Sequence, residues 1–461
     1  MKKSDQTIKS VESISRRNFI KTAGLAAGGT MLAAGPVMSF AARRSGSEKM
    51  KMALVGTGVR GVAMFGRELL EDYGEYVELV GICDQNPGRL NYAYDYIQPD
   101  GPAFTDLDEM LEKTKPEWLI VTSWDWEHHN HIISGLKHGC HIICEKPITI
   151  DEEKAEMILE AEKKFGKQII VTFNYRWVPH RAKLKELLME KTIGDVTAVE
   201  FHWHITHDHM KRYMQRWHGE RDRGGTLWVH KSTHHFDLMN WWLDSDPLEV
   251  YANASLDMFG AGNPFRGANC RNCAHTNECP YFWDIRENDH LRKLYTDNEH
   301  YDGYIRDNCV FRKQIDIYDK HSAVVKYANS TYLNYSLTGT SNYEGFWIAF
   351  NGTKGRIEGK EGGWTGGEDA QEWHMQLIGK DPEVIRVPRA EGGHWGADPL
   401  IMDKLFKDPD QADPLGQSAG TRDGIMSILV GIAARKSAES GKKIRIADLT
   451  SLKPQAKRPN S

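Results

Sequence analysis

The chain has 461 residues, 40% of them hydrophobic and 27% charged, which is an ordinary globular composition with enough length for two domains. A formal net charge of -5 lacks the strongly basic character of proteins that bind nucleic acid or acidic membranes. After residue 42, no stretch reaches the roughly 18 to 20 uninterrupted apolar residues of a membrane-spanning helix, so we expect a soluble mature protein.

Residues 1–42 have the pattern of a twin-arginine export signal. A basic, polar start leads to Arg16-Arg17 and then to a small-residue apolar run over 23–34, with cleavage expected near Ala41 or Ala42. An ordinary amphipathic helix is the alternative, but a Gly- and Ala-rich run is a poor helix. We therefore predict export by the twin-arginine machinery to the periplasm, with a membrane tether if the signal stays uncleaved.

Residues 50–173 alternate between short apolar runs and helical patterns. The apolar runs at 53–55, 77–83, 118–121 and 141–144 are predicted strands. Strands that alternate with helices indicate a doubly wound α/β domain with a parallel sheet. We therefore predict a Rossmann domain over residues 50–173.

A glycine-rich loop follows the first predicted strand. Gly56 permits the tight turn, Gly58 lets the backbone approach a pyrophosphate, and Gly61 lets the next helix pack against the strand. The helix begins at Val59 and Arg60, and its free N–H groups favour phosphate binding. The loop therefore predicts a dinucleotide cofactor.

Asp84 ends the second predicted strand. A carboxylate at this position accepts a hydrogen bond from a ribose 2′-hydroxyl and repels a 2′-phosphate. The sequence therefore favours NAD over NADP. A loop glycine cluster beside a surface aspartate is the alternative interpretation.

Several motifs together resemble one family. Glu145-Lys146-Pro147, the glycine loop and Asp84 are similar to the Gfo/Idh/MocA family of sugar and polyol oxidoreductases. The resemblance continues through 174–179, Gly224-Gly225, the predicted helix that carries His234 and Asp237, and the glycine-rich segment 392–398. It covers nearly the whole mature chain.

The resemblance implies a second domain over residues 174–445, an α+β unit with a large open, mostly antiparallel sheet. It implies that NAD and the substrate lie between that sheet and the Rossmann domain, and that the chain forms a homo-oligomer through the open sheet. Lys146 would lie beside the reacting carbinol, and His234 would be the acid/base. The expected cofactor-binding residues are Gly56, Gly58, Val59, Arg60, Gly61, Asp84, His128, Glu145 and Lys146.

The chemistry of alcohol oxidation suits these residues. A group must take the hydroxyl proton as hydride leaves, and His titrates near neutrality while a Lys amine can polarise the oxygen. His230 and His234 are four residues apart and share one face of a predicted helix. The family usually has Asp at position 230, so the acid/base role is open between the two histidines.

A second departure from the family lies at 122–128, where two tryptophans suggest a ring-stacking wall near the nicotinamide. A polar sugar cleft is also favoured by the His- and Arg-rich segment 201–223, although its alternating histidines allow a metal site. The predicted substrate-binding residues are Trp124, Trp126, Arg176, Arg216, Trp217, His218, His235, Asp237 and His394.

The seven cysteines fall into two groups. Cys83, Cys140 and Cys144 lie in or beside Rossmann strands and are predicted to be buried fillers. The other four, Cys270, Cys273, Cys279 and Cys309, lie in an insertion at about 258–312. A C-x2-C pair with two later cysteines predicts a structural zinc site, while disulfides and an iron-sulfur cluster are the alternatives.

The last third of the chain contains further elements of the second domain. Residues 318–337 and 344–357 alternate as antiparallel strands, with a hairpin turn over 351–355. A helix is predicted over about 422–440, followed by a short final strand.

The sequence thus predicts an NAD-dependent oxidoreductase that acts on a secondary hydroxyl of a sugar or glycoside. Because the periplasm has no dinucleotide pool, we expect the exported protein to keep its cofactor tightly bound. An NAD-dependent glycosidase of the kind known in the family, working by transient oxidation, elimination and hydride return, is the alternative. A non-catalytic sugar-binding module is a weaker alternative, because Lys146 and His234 are both present.

Overall fold

The computed structural model describes residues 48–263, 265–362 and 370–458. The predicted export segment lies outside these residues, so its sequence interpretation stays a prediction. Within the described part of the chain, no helix has both the length and the apolar character needed to cross a membrane.

The first sheet has six parallel strands in the order β3-β2-β1-β4-β5-β6. They are β1 (Met50–Val55), β2 (Val77–Cys83), β3 (Ala103–Phe104), β4 (Trp118–Val121), β5 (His141–Cys144) and β6 (Ile169–Val171). Helices cover both faces, which is why the strands are short, continuously apolar runs. Strand order reverses between β1 and β4, so a crevice opens at their carboxyl ends.

The helices of this domain have clear sequence signals at their ends. They are α1 (Val59–Val62), a π-helical segment (Ala63–Glu68), α2 (Leu69–Tyr73), α3 (Pro87–Ile97), α4 (Leu107–Thr114), α5 (His128–Lys137) and α6 (Glu152–Phe165). The Asn86 side chain accepts from the first turn of α3, and Asp151 does the same for α6. Gly166 ends α6 in the left-handed conformation, at φ 63°.

The second sheet has nine strands in the order β14-β13-β12-β11-β7-β10-β9-β8-β15. They are β7 (Val196–Thr206), β8 (Pro247–Ser255), β9 (Lys320–Tyr327), β10 (Tyr332–Ser341), β11 (Gly345–Gly352), β12 (Gly355–Gly362), β13 (Ala370–Leu377), β14 (Glu383–Pro388) and β15 (Ile444–Arg445). Neighbouring strands are antiparallel except β7 and β10. The predicted fold class, a Rossmann domain followed by an α+β domain with a mostly antiparallel sheet, is confirmed.

The helices of the second part are α7 (Pro179–Met189), α8 (His207–Gln215), α9 (Arg221–Gly224), α10 (Leu227–His230), α11 (Thr233–Leu243), α12 (Asp289–Leu294), α13 (Glu299–Asp302), α14 (Gly393–Met402) and α15 (Thr421–Ser440). Short helical turns lie at Asn174–Trp177, Trp217–Gly219, Gly260–Gly262, Ile285–Glu287, Thr296–Asn298, Asp403–Lys407 and Ile446–Asp448. The buried helix α11 packs with α15, and α15 packs on β8. At Gly431 of α15, a Cβ atom would lie 2.4 Å from the Trp228 carbonyl oxygen, so glycine allows α10 to approach closely.

The insertion between β8 and β9 contains α12 and α13 and extends to the first domain. Helix α12 packs on α3, and the Tyr92 hydroxyl lies 2.8 Å from His290 Nδ1. The insertion therefore joins the second domain to the edge of the cofactor domain.

Candidate active site

One cleft of about 1200 Å³ lies where the two parts of the chain meet. The carboxyl ends of β1, β4 and β5 form one wall, and α8, α10 and α11 contribute the other. Residues from the insertion and from α14 complete the rim. The cleft thus lies at the point where strand order reverses, as in other doubly wound sheets.

The glycine loop is as tight as the sequence predicts. Gly56 has a φ of 96°, and a Cβ atom there would lie 2.4 Å from the Ser123 amide nitrogen. A Cβ atom at Gly61 would lie 2.2 Å from the Gly56 carbonyl oxygen. Only glycine fits these positions, and the loop brings the amino end of α1 to the cleft. This backbone cradle fits a dinucleotide pyrophosphate.

Asp84 is held rigidly beside the loop. Its Oδ2 accepts from the Thr57 amide at 2.8 Å, and its Oδ1 accepts from the Asn86 amide at 2.9 Å. Arg89 donates to both oxygens, at 3.2 and 3.1 Å, and also pairs with Asp302 at 2.7 Å. Because two carboxylates neutralise Arg89, the site suits a ribose hydroxyl better than a 2′-phosphate.

The insertion closes over this loop. The Tyr295 hydroxyl accepts from the Val59 amide at 3.0 Å, and the Asn86 side chain donates to the Asn298 carbonyl at 2.9 Å. Together with the pair between Arg89 and Asp302, these contacts define what we call the clasp, residues 285–304. The clasp covers the part of the cleft beside the glycine loop and Asp84, whose residues would hold the phosphates and the adjacent ribose of a bound dinucleotide.

Lys146 follows β5 and lines the cleft. Its Nζ donates to the His230 carbonyl oxygen at 3.3 Å. Loss of solvent around the amine lowers the pKa of Lys146 to about 8, against the opposing effect of the Asp125 and Glu145 charges. The amine can therefore gain or lose a proton near neutral pH.

His230 has a carboxylate partner that the sequence analysis did not assign. Its Nδ1 lies 2.6 Å from Asp125 Oδ2, and Asp125 comes from the segment after β4. Burial raises the pKa of Asp125 and lowers the pKa of His230. Burial therefore disfavours the charged form of each group and keeps the imidazole uncharged. Asp125, which comes from the first domain, thus supplies at this place the carboxylate that the family usually has at position 230.

His234 lies beneath the Tyr175 ring, with the ring centroids 4.0 Å apart. Its Nδ1 has no hydrogen-bond partner among the described residues, and its side chain is buried. Burial, followed by the nearby cations Lys146 and Lys231, lowers the pKa of His234 well below its usual value. The imidazole is therefore neutral at physiological pH.

The predicted single helix face for His230 and His234 is wrong in detail. His230 ends α10, and His234 lies in the first turn of α11. The chain breaks at Lys231 and Ser232, where the Ser232 amide turns back to the Leu227 carbonyl. Both histidines nevertheless line the cleft.

Aromatic rings form one wall of the cleft, as predicted. Trp124 stacks on Trp126 at 4.6 Å, and Trp126 meets the edge of Trp217 at 5.2 Å. His218 stacks on Trp217 at 3.5 Å and contacts His230 at 4.0 Å. Trp124, Trp217, His218 and Arg216 line the cleft, whereas Trp126 supports it from behind. Flat apolar rings beside polar groups suit a sugar ring.

The glycine-rich segment at the start of α14 reaches the same cleft. His394 pairs with Asp398 at 2.7 Å, and Asp398 also lies 3.6 Å from Arg60. Arg60 in turn donates to Glu145 at 2.7 Å. Arg60 and Glu145 therefore connect the glycine loop to the lysine-bearing loop, and His394 stands at the rim.

Comparison with known proteins identifies the family. The profile described as an oxidoreductase family with an NAD-binding Rossmann fold matches residues 50–173, and the profile of its C-terminal alpha/beta domain matches residues 185–446. The chain belongs to the Gfo/Idh/MocA oxidoreductase family. The two matches show that the chain has an NAD-binding Rossmann domain and the C-terminal domain of an oxidoreductase family.

Individual relatives of this Gfo/Idh/MocA protein are also named as oxidoreductases or dehydrogenases. YteT of Bacillus subtilis, named as an oxidoreductase, is 34% identical over 86% of this chain and 97% of its own length. D-glucoside 3-dehydrogenase of Escherichia coli is 29% identical over 32% of this chain and 44% of its own length. The solved WlbA dehydrogenase of Bordetella pertussis, in complex with NADH and UDP-GlcNAcA, has 18% identity and a TM-score of 0.59, over 86% of this chain and 99% of that one. At that identity the WlbA similarity shows the fold alone.

Some predicted substrate residues of this Gfo/Idh/MocA protein lie elsewhere. Arg176 is 1% exposed and donates from Nε to Asp237 Oδ2 at 2.8 Å, so the pair stabilises the domain crossing. His235 is fully buried, and its Nδ1 lies 2.7 Å from the Tyr335 hydroxyl. These three side chains do not line the cleft, because their partners hold them inside the second domain.

His128 was predicted to bind the cofactor, and the structure gives it a different contact. It is buried, and its Nδ1 lies 2.8 Å from the Pro147 carbonyl oxygen. It therefore reaches the cleft wall while joining the segment after β4 to the loop of Lys146. It acts by positioning that loop.

The four cysteines of the insertion surround a cavity of about 20 Å³. They are free, and the described residues include no group of three or more His, Cys, Asp or Glu side chains arranged to hold a metal ion. Backbone N–H groups meet the sulfurs instead, such as the His275 amide at 3.4 Å from Cys273 Sγ. The structure therefore does not support the predicted zinc site. Cys83, Cys140 and Cys144 are buried fillers, as predicted.

The sequence analysis missed residues that reach the site from a distance along the chain. Asp125 lies between Trp124 and Trp126. The two tryptophans indicated that this segment contributes to the site, but they did not indicate that Asp125 pairs with His230. Tyr295, Tyr304 and Arg306 come from the insertion and also line the cleft. The insertion has no hydrophobic periodicity, so nothing in its pattern indicated that it folds back to the cofactor domain.

Proposed function

We propose that the protein is an NAD-dependent oxidoreductase that acts on a secondary hydroxyl of a sugar or glycoside. The observation that carries this proposal is that the glycine loop, Lys146 and the two histidines open into one cleft with an aromatic wall. Relatives named D-glucoside 3-dehydrogenase and inositol 2-dehydrogenase support the substrate class. The dehydrogenase names of these relatives favour oxidation over the redox-neutral glycosidase alternative.

The proposed roles follow from the protonation states. NAD, when bound, supplies the hydride acceptor. The Lys146 ammonium donates a hydrogen bond to the substrate oxygen and stabilises the charge that develops there. Neutral His234, at the position that the family uses as acid/base, takes the hydroxyl proton. His230, held by Asp125, orients Lys146 through its carbonyl oxygen.

The clasp supports tight retention of the cofactor, which an exported enzyme requires. Export and periplasmic location rest on the sequence alone and are part of this proposal. An enzyme that keeps its cofactor must return the hydride to the same substrate or pass it to a second one.

Product analysis tests the proposed function. Purified protein is incubated with a panel of sugars and glycosides without added cofactor, and the products are identified by mass. A sugar product lighter by two hydrogens supports the dehydrogenase. A cleaved neutral sugar would instead support the redox-neutral glycosidase, and binding without any product would support the non-catalytic module.

Asp125→Asn is expected to lower kcat about 100-fold and to leave KM nearly unchanged, because the partner that holds His230 is weakened. The reaction is followed as sugar oxidation at saturating substrate. Glu186→Gln, which changes a half-buried carboxylate paired with Lys183 outside the cleft, is the control and should retain full turnover. Normal kcat in Asp125→Asn would show that the pair with His230 has no part in catalysis.

Asp84→Ser is expected to narrow the preference for NAD over NADP, because it removes the carboxylate beside the glycine loop that would repel a 2′-phosphate and frees Arg89 from one of its two partners. The preference is measured as the ratio of the two Kd values after the bound cofactor is removed. Asp95→Ser, on the exposed side of α3, should not change the ratio. A wild type that binds NADP more tightly than NAD would contradict the assignment.

A further inference from the structure

Three arginines of the cleft have no salt-bridge partner among the described residues, and two of them, Arg216 and Arg306, are half-buried while Arg212 is exposed. Arg216 donates only to the Arg212 carbonyl oxygen, at 2.8 Å. Arg306 stacks on the Tyr295 ring at 4.3 Å, and its buried Nε has no hydrogen-bond partner. Both guanidinium groups line the cleft, so they face a space that a ligand can enter.

The carboxylates nearest the catalytic groups are already taken by other partners. Asp125 is bound by His230, Glu145 by Arg60, Glu344 by His209 and Lys231, and Asp398 by His394 and Arg60. None of these four carboxylates forms a salt bridge with Arg216 or Arg306. Two like charges in a poorly solvated cleft are costly unless an anion lies between them.

A third group points to the same place. Tyr304 is 8% exposed, lines the cleft, and its hydroxyl has no hydrogen-bond partner among the described residues. Tyr304 and Arg306 contact the same Tyr295 ring, at 5.7 and 4.3 Å from its centroid, and both line the cleft with Arg216. The charge of Arg306 helps to lower the pKa of Arg216, after the larger effect of burial. Two guanidinium groups and a phenol hydroxyl are the donors that carboxylates and phosphates prefer.

The position of Arg216 places this group on the substrate side. Arg216 directly precedes Trp217 and His218, whose rings contact His230. Its charge also acts on Asp125, next to the proposed acid/base groups. Arg306 lies over the face of the Tyr295 ring, whereas the hydroxyl of that ring accepts from the Val59 amide of the glycine loop.

We propose that Arg216 and Arg306, with the Tyr304 hydroxyl, bind an anionic group of the sugar, so that the natural substrate is an acidic sugar carrying a carboxylate or a phosphate. The inference rests on the proposed function, which it deepens by naming the class of sugar. The aromatic wall contacts the ring, and the two arginines select the charge.

Equilibrium binding to the NAD-loaded protein tests the inference without relying on turnover. Calorimetry compares methyl glucuronide and methyl galacturonide with the matching neutral methyl glycosides, and glucose 6-phosphate with glucose. The acidic member of a pair is expected to bind about 10- to 100-fold more tightly, the usual effect of charge-assisted hydrogen bonds. The pair that shows the difference identifies carboxylate or phosphate.

Arg216→Met and Arg306→Met should each remove most of this preference, because they weaken binding of the acidic ligand much more than binding of the neutral glycoside. Arg221→Met, which changes an exposed arginine paired with Glu439 outside the cleft, should keep it. If a variant does not fold, the wild type still answers, because affinity for the acidic ligand must fall with salt while affinity for the neutral ligand does not.

Equal affinity for acidic and neutral ligands in the wild type would overturn the inference. Loss of bound NAD in the variants with the ligand preference intact would also overturn it, since the arginines would then hold the cofactor phosphates. Selective binding of acidic sugars without any oxidation would leave the anion site standing and contradict the proposed function.

Discussion

Lys146→Ala and His234→Ala are each expected to lower turnover about 100-fold or more, the usual contribution of an acid/base group, while bound NAD is retained. Lys146 and neutral His234 line the same cleft, where the proposed mechanism assigns them to the substrate hydroxyl. Turnover is measured as keto-sugar formation, and bound NAD is measured after denaturation. Near-normal turnover in either variant would contradict the role given to that residue.

The pH profile separates the two roles. Because the pKa of Lys146 is about 8, its ammonium form is lost as pH rises through that value, and wild-type kcat/KM for oxidation should decline above about pH 8. Lys146→Arg keeps the cation, so this alkaline decline should disappear even though turnover is lower. A wild-type profile that rises through pH 8 would mean that the neutral amine is the active form.

Lys185 supplies a matched control for these measurements. It is also a buried lysine whose pKa is lowered by burial to about 8, but its amine donates to the Trp241 carbonyl oxygen away from the cleft. Lys185→Met should therefore leave the alkaline limb in place. Loss of that limb would show that the profile reports stability and not Lys146.

The second large effect concerns cofactor retention. The purified protein is expected to carry close to one NAD per chain, to keep it through gel filtration, and to turn over without added NAD. Tyr295→Phe and Asp302→Asn should speed NAD release about 10-fold each, because each removes a polar contact that fixes the clasp. Release is measured by dilution into a trap that consumes free NAD.

Tyr301→Phe is the control for the clasp variants, since Tyr301 belongs to the same segment but is 53% exposed. Its release rate should equal that of the wild type. A wild type that purifies empty and works only with added NAD would contradict the retention proposal. It would also remove the reason to expect a redox cycle closed within the protein.

The cofactor half of the site was accessible to sequence reasoning for a physical reason. Parallel strands buried on both faces give continuous apolar runs, and the positions of Gly56 and Gly61 admit no other side chain. Asp84 was found because it ends a strand next to that loop. These signals are local, so each was visible within a few residues of chain.

The substrate half depends on pairs that are distant along the chain. The partner of His230 is 105 positions earlier, on the other domain, and a substitution at position 230 therefore had the appearance of a lost carboxylate. Arg176 and Asp237 are charged residues of the kind that bind substrates. In the fold they are buried and form a salt bridge with each other, so they do not reach the cleft. The cysteine spacing predicted a metal site, whereas no group of three or more His, Cys, Asp or Glu side chains in the described residues is arranged to hold a metal ion.

The attachment of the clasp also limits how the molecule can move. By sequence the insertion belongs to the second domain, yet Tyr295, Asn298 and Asp302 are bound to the first. If the two domains separate to admit a sugar, the insertion must either lose its contacts with the first domain or move together with that domain. The second course would break the contacts that bind the insertion to the second domain, such as those of Cys270 with Gln215 and of Arg312 with the Arg216 carbonyl oxygen, so the insertion ties the two domains together.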